Sequence, residues 1–106
     1  ECQMNLFEKK RHLIEIISNY LENKTSLSDL QQFAWEMIDC FKKSKENELP
    51  PYQDFEKTFW YTIWQIQHLA DEEHEKDGIT KKTLSEALDY LREKKVLPKD
   101  FIGMRP

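Results

Sequence analysis

The chain has 106 residues, of which 39% are hydrophobic and 34% charged, and a formal net charge of −4. That length suits one domain with one core, and two glycines with four prolines are too few for turn-rich sandwiches, barrels or doubly wound sheets. No apolar run approaches the roughly 20 residues that span a bilayer, and an acidic balance is the reverse of a nucleic-acid-binding footprint. The N-terminus shows no charged-then-apolar leader pattern.

Glu1, Cys2 and Gln3 precede Met4, so residues 1–4 read as a disordered start or an expression remnant. A first helix is predicted over 6–21, where Leu13, Ile16, Ile17, Tyr20 and Leu21 recur at helical spacing. Asn23 is placed to leave that helix in the left-handed conformation. A second helix follows, with Ser28 and Gln31 as a capping box and Ser26 as the competing cap. Leu30, Phe33, Ala34, Met37, Ile38 and Phe41 form its apolar stripe. Lys42, Lys43 and Lys45 stand at its end, where cations suit the helix dipole, and Trp35 lies off the stripe.

Pro50 and Pro51 make a stiff connection to a third helix, predicted from 52–54 to about 74 and apolar almost all round between Phe59 and Ile66. A helix of that kind is buried by several neighbours, or by neighbours on one side and a partner on the other. Asp77 and Gly78 end it. Thr80 or Thr83 then caps a fourth helix carrying Leu84, Ala87, Leu88 and Leu91, which Pro98 ends. Phe101 and Ile102 give the tail enough apolar surface to pack. Four amphipathic helices with short connections predict a single all-α domain over 1–106, an antiparallel four-helix bundle with the aromatic-rich third helix at its centre.

Charge is segregated along the chain. Residues 48–78 hold eight acids against two bases, a charge of −6, while residues 79–106 carry +3. The run Asp71, Glu72, Glu73, His74, Glu75, Lys76, Asp77 falls at the expected C-terminal end of the third helix. Carboxylates there oppose the helix dipole at a cost of roughly 0.3–1 kcal/mol each, so helix stability does not explain them. They read either as a solvated terminus offset by Lys57, Lys81 or Lys82, or as an acidic patch for a basic partner. The same stretch offers His68 with Glu72, and Asp71 with His74, at spacings that share a helix face. A di-iron bundle needs its carboxylate-x-x-His pattern twice, and one copy is present, so neither a metal nor any other cofactor is expected.

Phe59, Trp60, Tyr61 and Trp64 read as core, with an exposed aromatic remainder as the alternative. Cys2 and Cys40 lie far apart and form no C-x-x-C pair, which reads as free thiols in a reducing cytoplasm, with Cys40 acting as a small hydrophobe. His12 is expected at the surface. No triad and no Gly-rich phosphate loop is recognisable, so the chain is read as a binding protein and not an enzyme.

From Ser26 to Pro106 the chain resembles the small helical immunity proteins of bacterial contact-dependent growth inhibition systems. The stretches SLSDLQQFAWEMIDCF, FWYTIWQIQHLADEEHEKDG and LPKDFIGMRP carry the resemblance. In overall plan it also looks like the helical immunity proteins of tRNA-cutting colicins. The resemblance implies a cytoplasmic protein that binds the C-terminal domain of a cognate toxin, often a basic nuclease acting on tRNA, and covers its active site. Elongation factor Tu would enter such a complex only through the toxin; neither nucleic acid nor membrane is touched directly. Asp71, Glu72, Glu73, Glu75 and Asp77 are the expected charged contacts, with Trp60, Tyr61 and Trp64 as aromatic anchors. The rival expectation is a helical module that self-associates, as a homodimer, through the aromatics of the third helix.

Overall fold

A computed structural model describes residues 6–43, 54–69, 78–101 and 103–104. Among these residues the chain forms four helices and no strand: α1 (Leu6–Leu21), α2 (Leu27–Lys43), α3 (Asp54–His68) and α4 (Ile79–Leu91). α1 packs on α2, α2 on α3, α3 on α4 and α4 on α1, which closes a ring around one core. The radius of gyration is 13.5 Å, close to the roughly 13 Å of a folded chain of about this length. No helix among the described residues is long and apolar enough to cross a membrane.

Helix boundaries follow local chemistry. The box that starts α2 is built two residues earlier than the Ser28–Gln31 pairing: the Asp29 amide donates to Ser26 Oγ and the Ser26 amide to Asp29 Oδ2, both at 3.2 Å. Ser26 wins because its hydroxyl reaches the third residue on, where Asp29 has a carboxylate to return the bond. Thr25 adds its hydroxyl to the same carboxylate. α1 ends as expected at Asn23, with φ 62 and the Asn23 and Lys24 amides returning to the Tyr20 and Asn19 carbonyls.

Three other termini correct the sequence reading. α3 ends at His68, with the Leu69 amide shared between the Gln65 and Ile66 carbonyls, and residues 70–74 of the expected extent lie outside the described residues. α4 begins at Ile79 behind Gly78, whose φ of 75 makes it the N-cap with no side-chain capping bond. Thr80 therefore lies inside the first turn, buried, rather than capping it. α4 also stops before Pro98. Glu93 takes φ 62, and the Glu93 and Lys94 amides bond back to the Tyr90 and Asp89 carbonyls, closing the helix several residues earlier.

The core draws on every helix. Leu13 and Ile17, Leu30 and Ala34, Phe59, Trp60, Ile63 and Ile66, and Leu84 are at 0% exposure. Each large member contributes about 1.5–3 kcal/mol by leaving water. α3 supplies the bulkiest of these, Trp60 and Phe59, which meet edge to face at 4.9 Å while Phe41 of α2 meets Trp60 at 5.2 Å. Glu56 is 1% exposed among them and accepts the Trp60 indole N–H at 3.1 Å. Arg92 to Ser18 Oγ, at 3.0 Å, and Lys81 to Asn23 Oδ1, at 2.6 Å, tie α4 to α1.

Cys40 overturns the reading of free thiols. It is buried and disulfide-bonded, and the only other cysteine of the chain, Cys2, lies outside the described residues.

The C-terminal segment is the third neighbour that an all-round apolar α3 requires. Lys57 Nζ donates to the Lys99 carbonyl at 3.2 Å and Trp64 Nε1 to the Met104 carbonyl at 2.8 Å, so α3 holds the segment at two points. Between them Gly103 lies so close that a β-carbon there would stand 1.9 Å from the Lys57 carbonyl oxygen. Only glycine permits that approach of backbone to helix. Phe101 packs as expected, the Met104 side chain stays 67% exposed, and Ile102 lies outside the described residues.

Candidate functional site

Tyr61, Trp64, Gln65 and His68 follow one another at i, i+3, i+4 and i+7, one face of α3. Docking of the C-terminal segment brings Asp100 and Phe101 against that face, and the six residues line an open cleft of about 430 Å³. The Phe101 ring lies nearly parallel to Tyr61, with centroids 5.0 Å apart and planes inclined by 24°. Tyr90 of α4 stands edge-on to both, 6.3 Å from Tyr61 and 6.2 Å from Phe101. With its indole N–H taken by the Met104 carbonyl, Trp64 is fixed in orientation while its ring remains half-exposed.

Polar groups rim the aromatic floor. Asp100 is exposed and, among the described residues, is the one acidic or basic side chain in the lining apart from His68. Burial first, then Tyr90 and Glu86, raise the Tyr61 phenol above its ordinary value of 10.0. Both neighbours act in the same direction because an anionic phenolate would face further negative charge. Lys57 and Lys99 flank the cleft without lining it, and the Lys57 ammonium is occupied by the Lys99 carbonyl.

The expected partner contacts separate into three groups. Trp60 is removed from the list of anchors: at 0% exposure, with its N–H on Glu56, it has no surface to offer. Tyr61 and Trp64 are half-buried and share the cleft. Asp71, Glu72, Glu73, Glu75 and Asp77 lie outside the described residues, as does His74, so the Asp71–His74 pair falls there wholly and the His68–Glu72 pair in part. Among the described residues no group of three or more His, Cys, Asp or Glu side chains is arranged to hold a metal ion.

Sequence reasoning missed Gln65, His68 and Asp100 as companions of the aromatics. The α3 residues were findable from their shared helical face. Asp100 was not, because its place depends on Gly103 letting the segment approach α3. Elsewhere, among the described residues, the exposed large apolar residues are Trp35, on the outer face of α2, and Phe7, Val96 and Met104. Phe7 meets Phe55 edge to face at 6.0 Å, with the Lys10 ammonium 5.9 Å from the Phe55 ring. His12 is at the surface, its ring edge-on to Phe33 at 5.0 Å.

No protein-family model matches the chain, and neither comparison, with curated proteins or with solved structures, finds a match.

Proposed function

We propose that the chain is an immunity protein: it binds the C-terminal domain of a cognate toxin, a basic nuclease of the tRNA-cutting kind, and covers its active site with an acidic surface. The observation that carries this reading is the segregation of charge, −6 over residues 48–78 in a chain of net −4. A nuclease site is electropositive because it holds phosphates. An acidic protein substitutes for that backbone and gains fast, steered association. The resemblance of residues 26–106 to helical immunity proteins supports the same partner class.

The aromatic cleft is a candidate anchor to go with the charge. It stands at the C-terminal end of α3, and the acidic run begins three residues after His68 in sequence. Aromatic side chains supply much of the binding energy in protein interfaces, while charge sets rate and orientation. The rival reading, self-association through the third-helix aromatics, loses Trp60 to the core and part of Tyr61 to the C-terminal segment. On the proposed reading the protein works in the cytoplasm, by binding and not by catalysis, and any elongation factor Tu in the complex is held by the toxin.

Co-expression with the toxin domain encoded beside its gene tests the proposal. Growth rescue together with tight co-purification is the expected result. Growth arrest in the presence of the chain, with no complex recovered, overturns it.

A further inference from the structure

We propose that the cleft between α3 and the C-terminal segment is a receptor for one arginine side chain of a basic protein partner, its guanidinium stacking on Trp64 and Tyr61 and pairing with Asp100. The inference rests on the basic partner proposed above and takes it to a single side chain.

Three observations select this occupant. The floor is aromatic, formed by Tyr61, Trp64 and Phe101. Aromatic faces carry negative potential and attract cations, the planar guanidinium best of all because it also stacks. The rim carries the Asp100 carboxylate, able to take a guanidinium through two parallel hydrogen bonds. The volume, about 430 Å³, falls in the roughly 300–1,000 Å³ range of ligand clefts.

Competing occupants fit less well. An apolar side chain would strip water from Gln65, His68 and Asp100 and return no hydrogen bond. A phosphate would meet Asp100, with Glu86 close enough to act on Tyr61. A lysine ammonium is a compact, strongly hydrated charge that cannot stack. Among the described residues no lysine or arginine lines the cleft, and Lys57 is held by the Lys99 carbonyl.

The cleft is also prebuilt. The Trp64 N–H bond to Met104 fixes the indole, and the Tyr61–Phe101 stack fixes the other two rings. A guanidinium would enter without ordering these rings, which lowers the entropic cost of binding.

The test is a titration of ¹⁵N-labelled protein with acetyl-arginine amide, and with acetyl-citrulline amide as the uncharged isostere. The expected result is a saturable shift of the Trp64 indole N–H and the Asp100 and Phe101 amides with arginine alone. Asp100→Asn, at an exposed position, should weaken it about tenfold. A Trp64→Leu variant should lose it while the helical spectrum is kept. Equal shifts with citrulline, no saturable shift, or shifts confined to the acidic run would overturn the proposal. No toxin is present in the titration, so it separates from the immunity reading. Arginine binding without rescue in co-expression retains the cleft and removes the toxin; rescue without arginine binding does the reverse.

Discussion

Glu93 is a glutamate where a glycine belongs. Its φ of 62 closes α4, and a side chain in the left-handed region costs roughly 1–2 kcal/mol, offset only in small part by a 3.8 Å pairing of its exposed carboxylate with Lys10. Glu93→Gly is expected to raise the unfolding free energy by about 0.5–1 kcal/mol in urea titration, since the gain in backbone freedom of the unfolded chain offsets part of the relief. A loss of stability would mean that the pairing with Lys10 outweighs the strain. Asp29 gives a second residue-scale expectation, with its sign set by the cap. Bonds from Thr25 first, then from the Ser26 amide and hydroxyl, hold its carboxyl below the ordinary 3.8. The folded protein therefore binds that proton less readily than the unfolded chain. The stabilisation is present above about pH 4 and is lost as pH falls through the depressed value. Asp29→Asn should flatten the acid limb of the stability–pH profile without shifting it at neutral pH beyond the loss of the cap. An unchanged acid limb would show that other carboxylates set it.

At the scale of elements, the C-terminal segment depends on one missing β-carbon. Gly103→Ala would drive a methyl into the Lys57 carbonyl, 1.9 Å away, so the segment must lift from α3. Helix content by circular dichroism should hold, because α1 to α4 share a core that does not include Gly103. Tryptophan emission should shift to the red as Trp64 loses Met104 and meets water. Unchanged emission would show that the segment is held mainly by Phe101. This element also shows what sequence carries and what it does not. Helical spacing placed α1 and the stripe of α2, because local periodicity records which face meets a core, but an α3 apolar almost all round did not show that Trp60 is buried. Helix ends set by backbone conformation at Gly78 and Glu93 were misplaced, since several residues nearby had equal capping chemistry. The aromatic half of the cleft was legible as one face of α3. Its acidic rim was not, because Asp100 arrives from 32 residues beyond His68 through a contact that no local pattern records.

For the whole molecule, the bond at Cys40 sets a condition on the proposed compartment. A reducing cytoplasm opens disulfides, so the bundle must stand on its core alone. Removing a disulfide costs about 2–4 kcal/mol in typical cases. Cys40→Ala, or wild type with reductant, should therefore melt at a lower temperature yet keep its helical spectrum at 37 °C and still bind the toxin domain. Collapse of the spectrum on reduction would place the protein in an oxidising compartment and count against a cytoplasmic inhibitor.

The central claim is that acidic charge on this bundle meets a basic toxin domain. Its most direct test is the dissociation constant of the complex measured across ionic strength, for wild type and for Glu72→Lys/Glu73→Lys. Screening shortens to about 8 Å at physiological salt, so charge-led binding must weaken steadily as salt rises. The account predicts that the double reversal loses about tenfold or more in affinity at low salt, with a shallower salt dependence. Equal affinity and equal slope for the two proteins would contradict it.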